Sequence, residues 1–210
     1  MVLRNSVSDR SQASDGSLHT FYKDLGDSYA LVNDYQRASE CYARWAALAP
    51  TDPTPHLGMA AVAFAQKKLA DSQRSFEHAI VLCPACSEAY GGLAMVHQHR
   101  GNYLQAQEMY LKCLELDSDN LVALLGLFQT SCSIGSFGRI TSCLEVYLAS
   151  HPTDTSVLFC LATLYGRDGR LDLAGECLER VLHLEPCKRE AAVMLEQIRH
   201  ALGATNDRPI

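Results

Sequence analysis

The sequence predicts an all-α fold made of five repeated pairs of antiparallel helices and a final helix, about eleven helices in all. Three observations give this prediction. Prolines recur at a spacing of 34 residues, apolar residues recur twice at helical spacing within each interval, and turn-forming residues separate the two apolar runs. A period of this length is typical of repeat proteins, in which each repeat buries its apolar face against its neighbours.

The proline spacing defines the period. Pro50 and Pro84 are 34 residues apart, as are Pro152 and Pro186, and the interval from Pro84 to Pro152 is 68 residues, twice that length. The missing middle proline falls within residues 117–120, whose Asp-Ser-Asp-Asn sequence favours a turn without proline. Five repeats without gaps follow, over residues 19–52, 53–86, 87–120, 121–154 and 155–188.

Each repeat is predicted to hold two amphipathic helices. Apolar or small residues recur at positions 4, 7, 8 and 11 and again at positions 20, 24 and 27, which is the spacing of one helix face. Residues that end helices and form tight turns lie between the two runs in four of the repeats. They are Asn33-Asp34, Gly101-Asn102, Gly135-Ser136 and Gly169-Arg170.

The two ends of the chain differ from the repeats. Residues 1–18 contain five serines and few apolar residues, so they are predicted to form a disordered arm. Residues 189–203 place Ala191, Met194 and Ile198 on one helix face, which predicts a helix that caps the last repeat. Gly203 is expected to end this helix, leaving residues 204–210 as a short tail.

The repeats resemble the tetratricopeptide repeat. The first repeat carries the matching residues Tyr22, Leu25, Gly26, Tyr29, Ala38, Tyr42 and Pro50, and the third carries Tyr90, Leu93, Ala94, Ala106 and Tyr110. The resemblance covers residues 19–188 and implies a right-handed superhelical solenoid that binds proteins. It also implies that the first helices of successive repeats line a concave groove.

Two departures from this pattern concern packing. Phe128 and Ile140 replace small residues where the two helices of the fourth repeat cross, so this pair is expected to be the least regular. Trp45 replaces a small residue at position 27 of the first repeat. It either covers the open end of the array or is an ordinary packed tryptophan.

Composition limits the possible functions. Apolar residues make up 48% of the 210 residues, so the chain should fold, and a net charge of −6 argues against nucleic-acid binding. No apolar run is long enough to insert in a membrane, and no secretory signal is evident, so a cytoplasmic location is expected. Nine cysteines without a signal sequence indicate reduced thiols that fill gaps in the core.

One pair of residues is a candidate for thiol chemistry or metal binding. Cys83 and Cys86 form a Cys-x-x-Cys motif that can exchange thiols or supply half of a zinc site, but the second half is absent, so a structural role at a repeat turn is favoured. His97 and His99 point in different directions on a helix, which disfavours joint metal binding. No catalytic residues and no cofactor are predicted.

The resemblance implies that exposed residues of the first helices line the concave groove. These residues are expected to bind a partner. They are Lys23, Asp27, Leu57, Ala61, Phe64, Met95, Gln98, Leu125, Gln129, Phe159 and Thr163. The large apolar members suit an amphipathic helix or an extended apolar segment. The alternative is that several of them contact neighbouring helices and belong to the core.

One subgroup of the family binds chaperones through a clamp for the carboxylate end of a peptide. That clamp uses Lys and Asn in the first repeat and cations in the third. Lys23 fits, but Asp27 replaces the Asn, and Glu88, Gly91 and Gly92 stand where cations are needed. A carboxylate would be repelled rather than bound, so the clamp is rejected.

The sequence therefore predicts a non-catalytic scaffold or adaptor whose groove binds a protein or peptide. The alternatives are a chaperone or assembly factor that shields an apolar client, a self-associating scaffold, and a thiol or metal protein that works through Cys83 and Cys86.

Overall fold

The computed structural model describes the backbone of residues 5–206 and the side chains of residues 18–202. Over this part of the chain it contains eleven α-helices and no β-strand. They are α1 (Asn5–Leu31), α2 (Tyr35–Leu48), α3 (Thr54–Ala65), α4 (Leu69–Leu82), α5 (Ser87–His99), α6 (Tyr103–Leu116), α7 (Leu121–Ile134), α8 (Gly138–Ser150), α9 (Thr155–Arg167), α10 (Leu171–Leu184) and α11 (Arg189–Asn206). None of the described helices is both long and apolar enough to cross a membrane.

The helices group into an N-terminal unit that ends at Asp117 and a C-terminal unit that begins at Ser118. In the N-terminal unit, α1 packs on α2, α3 on α4 and α5 on α6. The first helices of its three repeats also contact one another in order, α1 with α3 and α3 with α5. In the C-terminal unit, α9 packs on α10 and α10 on α11, while α7 and α8 precede them.

The turn between the two helices of every repeat contains a residue in the left-handed region. These residues occupy position 15 of each repeat, with φ of 61° at Asn33, 59° at Lys67, 77° at Gly101, 81° at Gly135 and 76° at Gly169. Glycine adopts this conformation freely and asparagine tolerates it, whereas lysine is strained there. Four of these turns were predicted from the sequence, and the one at Lys67 was not.

Close contact between neighbouring repeats depends on glycines that face aromatic rings. A Cβ atom added to Gly26 would lie 2.7 Å from Tyr42 Cε1, and one added to Gly58 would lie 2.8 Å from Tyr42 Cζ. At Gly92 the added atom would lie 2.1 Å from Phe76 Cζ. The rings at position 24 of the first two repeats therefore fill space that only glycine leaves open on the first helices.

Two apolar clusters form the described core of the N-terminal unit. One joins Ala60, Phe76 and Leu93 with neighbouring small residues, and half-buried Leu57 and Phe64 pack against it. The other joins Ala38, Tyr42, Trp45 and Val62. Trp45 is thus an ordinary packed core residue, although its Nε1 atom is buried without a hydrogen-bond partner among the described residues.

The fourth repeat differs from the others, in agreement with the expectation from its sequence. Helices α7 and α8 contact each other less extensively than the two helices of any other repeat. Ile140 is fully buried and Phe128 is half-buried at the positions where other repeats have small residues. These larger side chains keep the two backbones apart.

Both chain ends depart from the sequence prediction. Helix α1 begins at Asn5, so the backbone of residues 5–17 is helical rather than a disordered arm; residues 1–4 lie outside the described part. At the other end α11 continues through Gly203 to Asn206. Adding residues to an existing helix needs no new nucleus, so serines, or a single glycine near the end, do not stop it.

Candidate protein-binding surfaces

The predicted groove residues of the N-terminal unit lie on three helices that contact one another. Lys23 and Asp27 are on α1, Leu57, Ala61 and Phe64 on α3, and Met95 and Gln98 on α5. Lys23, Asp27 and Ala61 are exposed, and the other four are half-buried. We call these seven residues the N-terminal groove.

The large apolar side chains of the N-terminal groove are attached to the core. Leu57 and Phe64 pack against the core cluster between α3, α4 and α5 while each keeps part of its surface in solvent. The Phe64 ring also meets the His99 ring edge to face, with 4.8 Å between centroids. Contacts on the inner side hold these side chains in place and leave their outer edges available to a partner.

Tyrosine hydroxyls fix two polar residues of the N-terminal groove. Tyr42 donates a hydrogen bond to Asp27 Oδ1 at 2.7 Å, and Tyr110 donates one to Gln98 Oε1 at 2.6 Å. Burial raises the pKa of Tyr110 to about 12, and burial together with the Asp27 hydrogen bond raises the pKa of Tyr42 further. Both hydroxyls therefore stay protonated near neutral pH and continue to donate.

The role of these two tyrosines in orienting Asp27 and Gln98 was not predicted from the sequence. The signal was present, since both stand at position 24 of their repeats. The pattern assigned that position to packing alone, whereas a tyrosine there adds a hydroxyl that can reach the first helix of its own repeat.

The predicted residues of the C-terminal unit are Leu125 and Gln129 on α7 and Phe159 and Thr163 on α9. Leu125 and Gln129 are exposed, and Phe159 and Thr163 are half-buried. The Lys188 Nζ atom lies 5.9 Å from the centre of the Phe159 ring and 3.3 Å from Glu185 Oε2. The ring of Phe159 therefore contacts a cation from the turn before α11.

A pocket in the C-terminal unit was not predicted from the sequence. It has a volume of about 320 Å³ and lies between α9, the start of α10 and α11. Its lining is mostly apolar, with one guanidinium, and consists of Thr163, Gly166, Arg167, Leu171, Met194, Gln197, Ile198 and Ala201. A Cβ atom added to Gly166 would lie 3.3 Å from Met194 Cε, so this glycine leaves room for the methionine side chain.

Cys83 and Cys86 lie at the turn between α4 and α5. Cys86 is buried and Cys83 is half-buried, and the Cys86 thiol donates to Glu88 Oε2 at 3.4 Å. Burial raises the pKa of the Cys86 thiol, which disfavours the reactive thiolate. Among the described side chains no group of three or more His, Cys, Asp and Glu residues could hold a metal ion.

Comparison with known proteins identifies the third repeat. A family model described as "Tetratricopeptide repeat" matches residues 87–120, the same range as the third repeat. Residues 87–120 are therefore a tetratricopeptide repeat. The predicted all-α architecture of tandem helix pairs is confirmed.

Solved structures share the tetratricopeptide fold with this protein at low sequence identity. Pseudomonas aeruginosa pilF superposes with a TM-score of 0.71 and 12% identity, covering 92% of this chain and 88% of pilF. The first tetratricopeptide domain of Spaghetti (RPAP3), bound to the HSP90 peptide SRMEEVD, gives a TM-score of 0.54 and 23% identity over 57% of this chain and 95% of that domain.

A curated relative is the heat shock protein STI1 of Saccharomyces cerevisiae. It is 28% identical over 111 residues, which is 51% of this chain and 18% of STI1. The chain therefore matches about a fifth of the length of this relative.

Proposed function

We propose that this tetratricopeptide-repeat protein is a non-catalytic scaffold or adaptor that binds an apolar or amphipathic protein segment. The observation that carries the proposal is the placement of Leu57 and Phe64. They are large apolar side chains two turns apart on α3, held by the core on one side and partly exposed on the other. Large side chains that are already ordered lose little entropy when a partner covers them.

The charges of the N-terminal groove disfavour a peptide that ends in acidic residues. Asp27 places a carboxylate, oriented by Tyr42, beside the apolar row. A peptide that ends in acidic residues would meet this charge, and Glu88 adds another on the same set of helices. We therefore propose a partner that contributes apolar side chains rather than a terminal carboxylate, and the net charge of −6 speaks against nucleic acid as partner.

A second candidate is a chaperone or assembly factor that shields an apolar client. It is favoured by the 28% identity to part of a protein named as a heat shock protein. The same groove would serve, because shielding and adaptor binding both need ordered apolar side chains with an exposed edge. The two candidates differ in the partner: an adaptor binds a folded protein through one segment, whereas a chaperone prefers its client unfolded.

The test is affinity capture from a native extract with matched variants. Leu57→Asp combined with Phe159→Asp places a charge on the predicted surface of each unit. The control combines Val81→Asp with Val146→Asp, because these valines are 75% and 58% exposed on the second helices α4 and α8. We expect a partner that is retained by the wild type and the control and lost in the groove variant.

The outcomes separate the candidates. A partner that binds equally to the groove variant would overturn the assignment of the surface. A purified partner that binds only after denaturation would favour the chaperone. Titration with the peptide SRMEEVD should give no binding, and tight binding of that peptide would contradict our rejection of the carboxylate clamp. Zinc analysis and thiol titration would detect a role of Cys83 and Cys86.

A further inference from the structure

The pocket between α9 and α11 combines an apolar lining with one cation. It is lined by Met194, Ile198 and other apolar atoms, and its volume of about 320 Å³ is near the lower end of small-ligand pockets, which suits one large side chain. The Arg167 guanidinium at its edge stacks on Phe137 at 5.1 Å from the ring centre. Among the described side chains no carboxylate forms an ion pair with Arg167.

The outer face of α1 has the opposite properties. Leu18 and Phe21 are 41% and 56% exposed, and Asp24 follows one turn later and is also exposed. Residues three apart are neighbours on a helix surface, so the three side chains form one inclined row in which two apolar residues are followed by a carboxylate. The Asp24 side chain makes no ion pair with any described residue.

We propose that this pocket binds the outer face of α1 from a second copy of the chain, with Phe21 in the pocket and Asp24 beside Arg167. Both halves of the contact are left open by the part of the chain that the structure describes. The apolar pocket would take the exposed aromatic ring. The guanidinium and the carboxylate, neither of which has an ion-pair partner among the described residues, would pair with each other. The partner of this surface is therefore the protein itself.

Such a contact joins two different surfaces, one from each copy. An interface of this kind is heterologous, so a pair of bound copies still offers one open face and one open pocket. The proposal is independent of the groove function, because it uses α1 residues that the N-terminal groove does not include. Thr163 is the one predicted groove residue in the pocket lining.

The first test measures molar mass in solution by sedimentation from about 1 µM to about 1 mM, a range that spans weak and moderate association. The wild type should gain mass with concentration. Asp24→Arg and Arg167→Glu should each raise the dissociation constant at least about tenfold, because each brings like charges together. Two controls on exposed residues elsewhere, Glu108→Arg and Arg139→Glu, make the same changes in net charge and should behave as wild type.

The decisive test mixes the two blocked variants. Asp24→Arg retains the pocket and Arg167→Glu retains the face, so these two surfaces can pair, and the exchanged charges on the other two surfaces can pair as well. An equimolar mixture should therefore regain association, with the two variants alternating. The double variant that carries both changes should regain self-association, since its charges are exchanged. A wild type that remains monomeric, or a mixture that stays unassociated while the wild type associates, would overturn the proposal. Neither result bears on capture of a groove partner, which is measured with a different variant.

Discussion

Replacing Lys67 by glycine should stabilise the protein. Lys67 occupies position 15 of the second repeat with φ of 59°, where three of the other repeats have glycine and one has Asn33. The side chain is exposed, and its ammonium makes no ion pair among the described residues, so the substitution removes little besides the backbone strain. The effect therefore isolates the free energy of one left-handed residue.

The magnitude follows from two opposing contributions. A residue with a Cβ atom costs roughly 1–2 kcal/mol in the left-handed region. Glycine adds conformational entropy to the unfolded chain, which offsets about 0.4–1 kcal/mol of that gain. The net stabilisation is about 0.5–1 kcal/mol, which corresponds to a rise in melting temperature of about 1–4 °C for a chain of this size.

Urea denaturation followed by circular dichroism would measure this change. The reverse substitution, Gly101→Ala, supplies the matched experiment, since a Cβ atom there has no neighbour within 4 Å and only the conformation with φ of 77° is penalised. It should destabilise by a similar amount. Lys68→Gly is the control, because Lys68 has φ of −83° and lacks the strain. Equal effects of Lys67→Gly and Lys68→Gly would refute the strain argument.

Three further predictions rest on other features. Gly92→Ala should destabilise by about 1–3 kcal/mol in urea melts, because the added atom overlaps an aromatic ring, and an unchanged midpoint would contradict this packing. The pKa of His56 is lowered by burial and by a neighbouring imidazole, so the unfolded state binds more protons. Stability should therefore fall as the pH drops below the ordinary histidine value of about 6.5, and His56→Gln should reduce this slope. Exposed Cys187 should react first with a thiol reagent, and buried Cys113, whose pKa burial raises to about 11, should react only on unfolding, which timed mass spectrometry would check.

The period of the sequence was sufficient to predict the helix pairs because the same side chains recur in the same register. The turn at Lys67 was missed because a lysine carries no local signal for a left-handed backbone, and the neighbouring helices impose that conformation. The helical residues 5–17 were missed for a related reason: composition describes a segment alone, whereas α1 extends a helix that is already formed.

The candidate surface, like the fold, was predicted only in part from the sequence. Position in the repeat was enough to nominate Leu57 and Phe64, because the resemblance to the tetratricopeptide repeat implies that the first helices line one groove. Position gave no indication that Tyr42 and Tyr110 orient Asp27 and Gln98, since those hydrogen bonds join residues 15 and 12 apart on antiparallel helices. The repeat pattern did not predict the pocket beside α11, because its walls come from the last repeat and the helix that caps it.

The placement of Tyr42 has a consequence for how the chain folds. Its ring lies where it would contact a Cβ atom of Gly26 in its own repeat and of Gly58 in the next one. The ring is only 4% exposed, and it reaches this burial only when both repeats are in place. The first repeat should therefore not persist as a separate folded element: a fragment that ends before α3 would expose this ring, be cut rapidly by proteases, and gain protection once the second repeat is added.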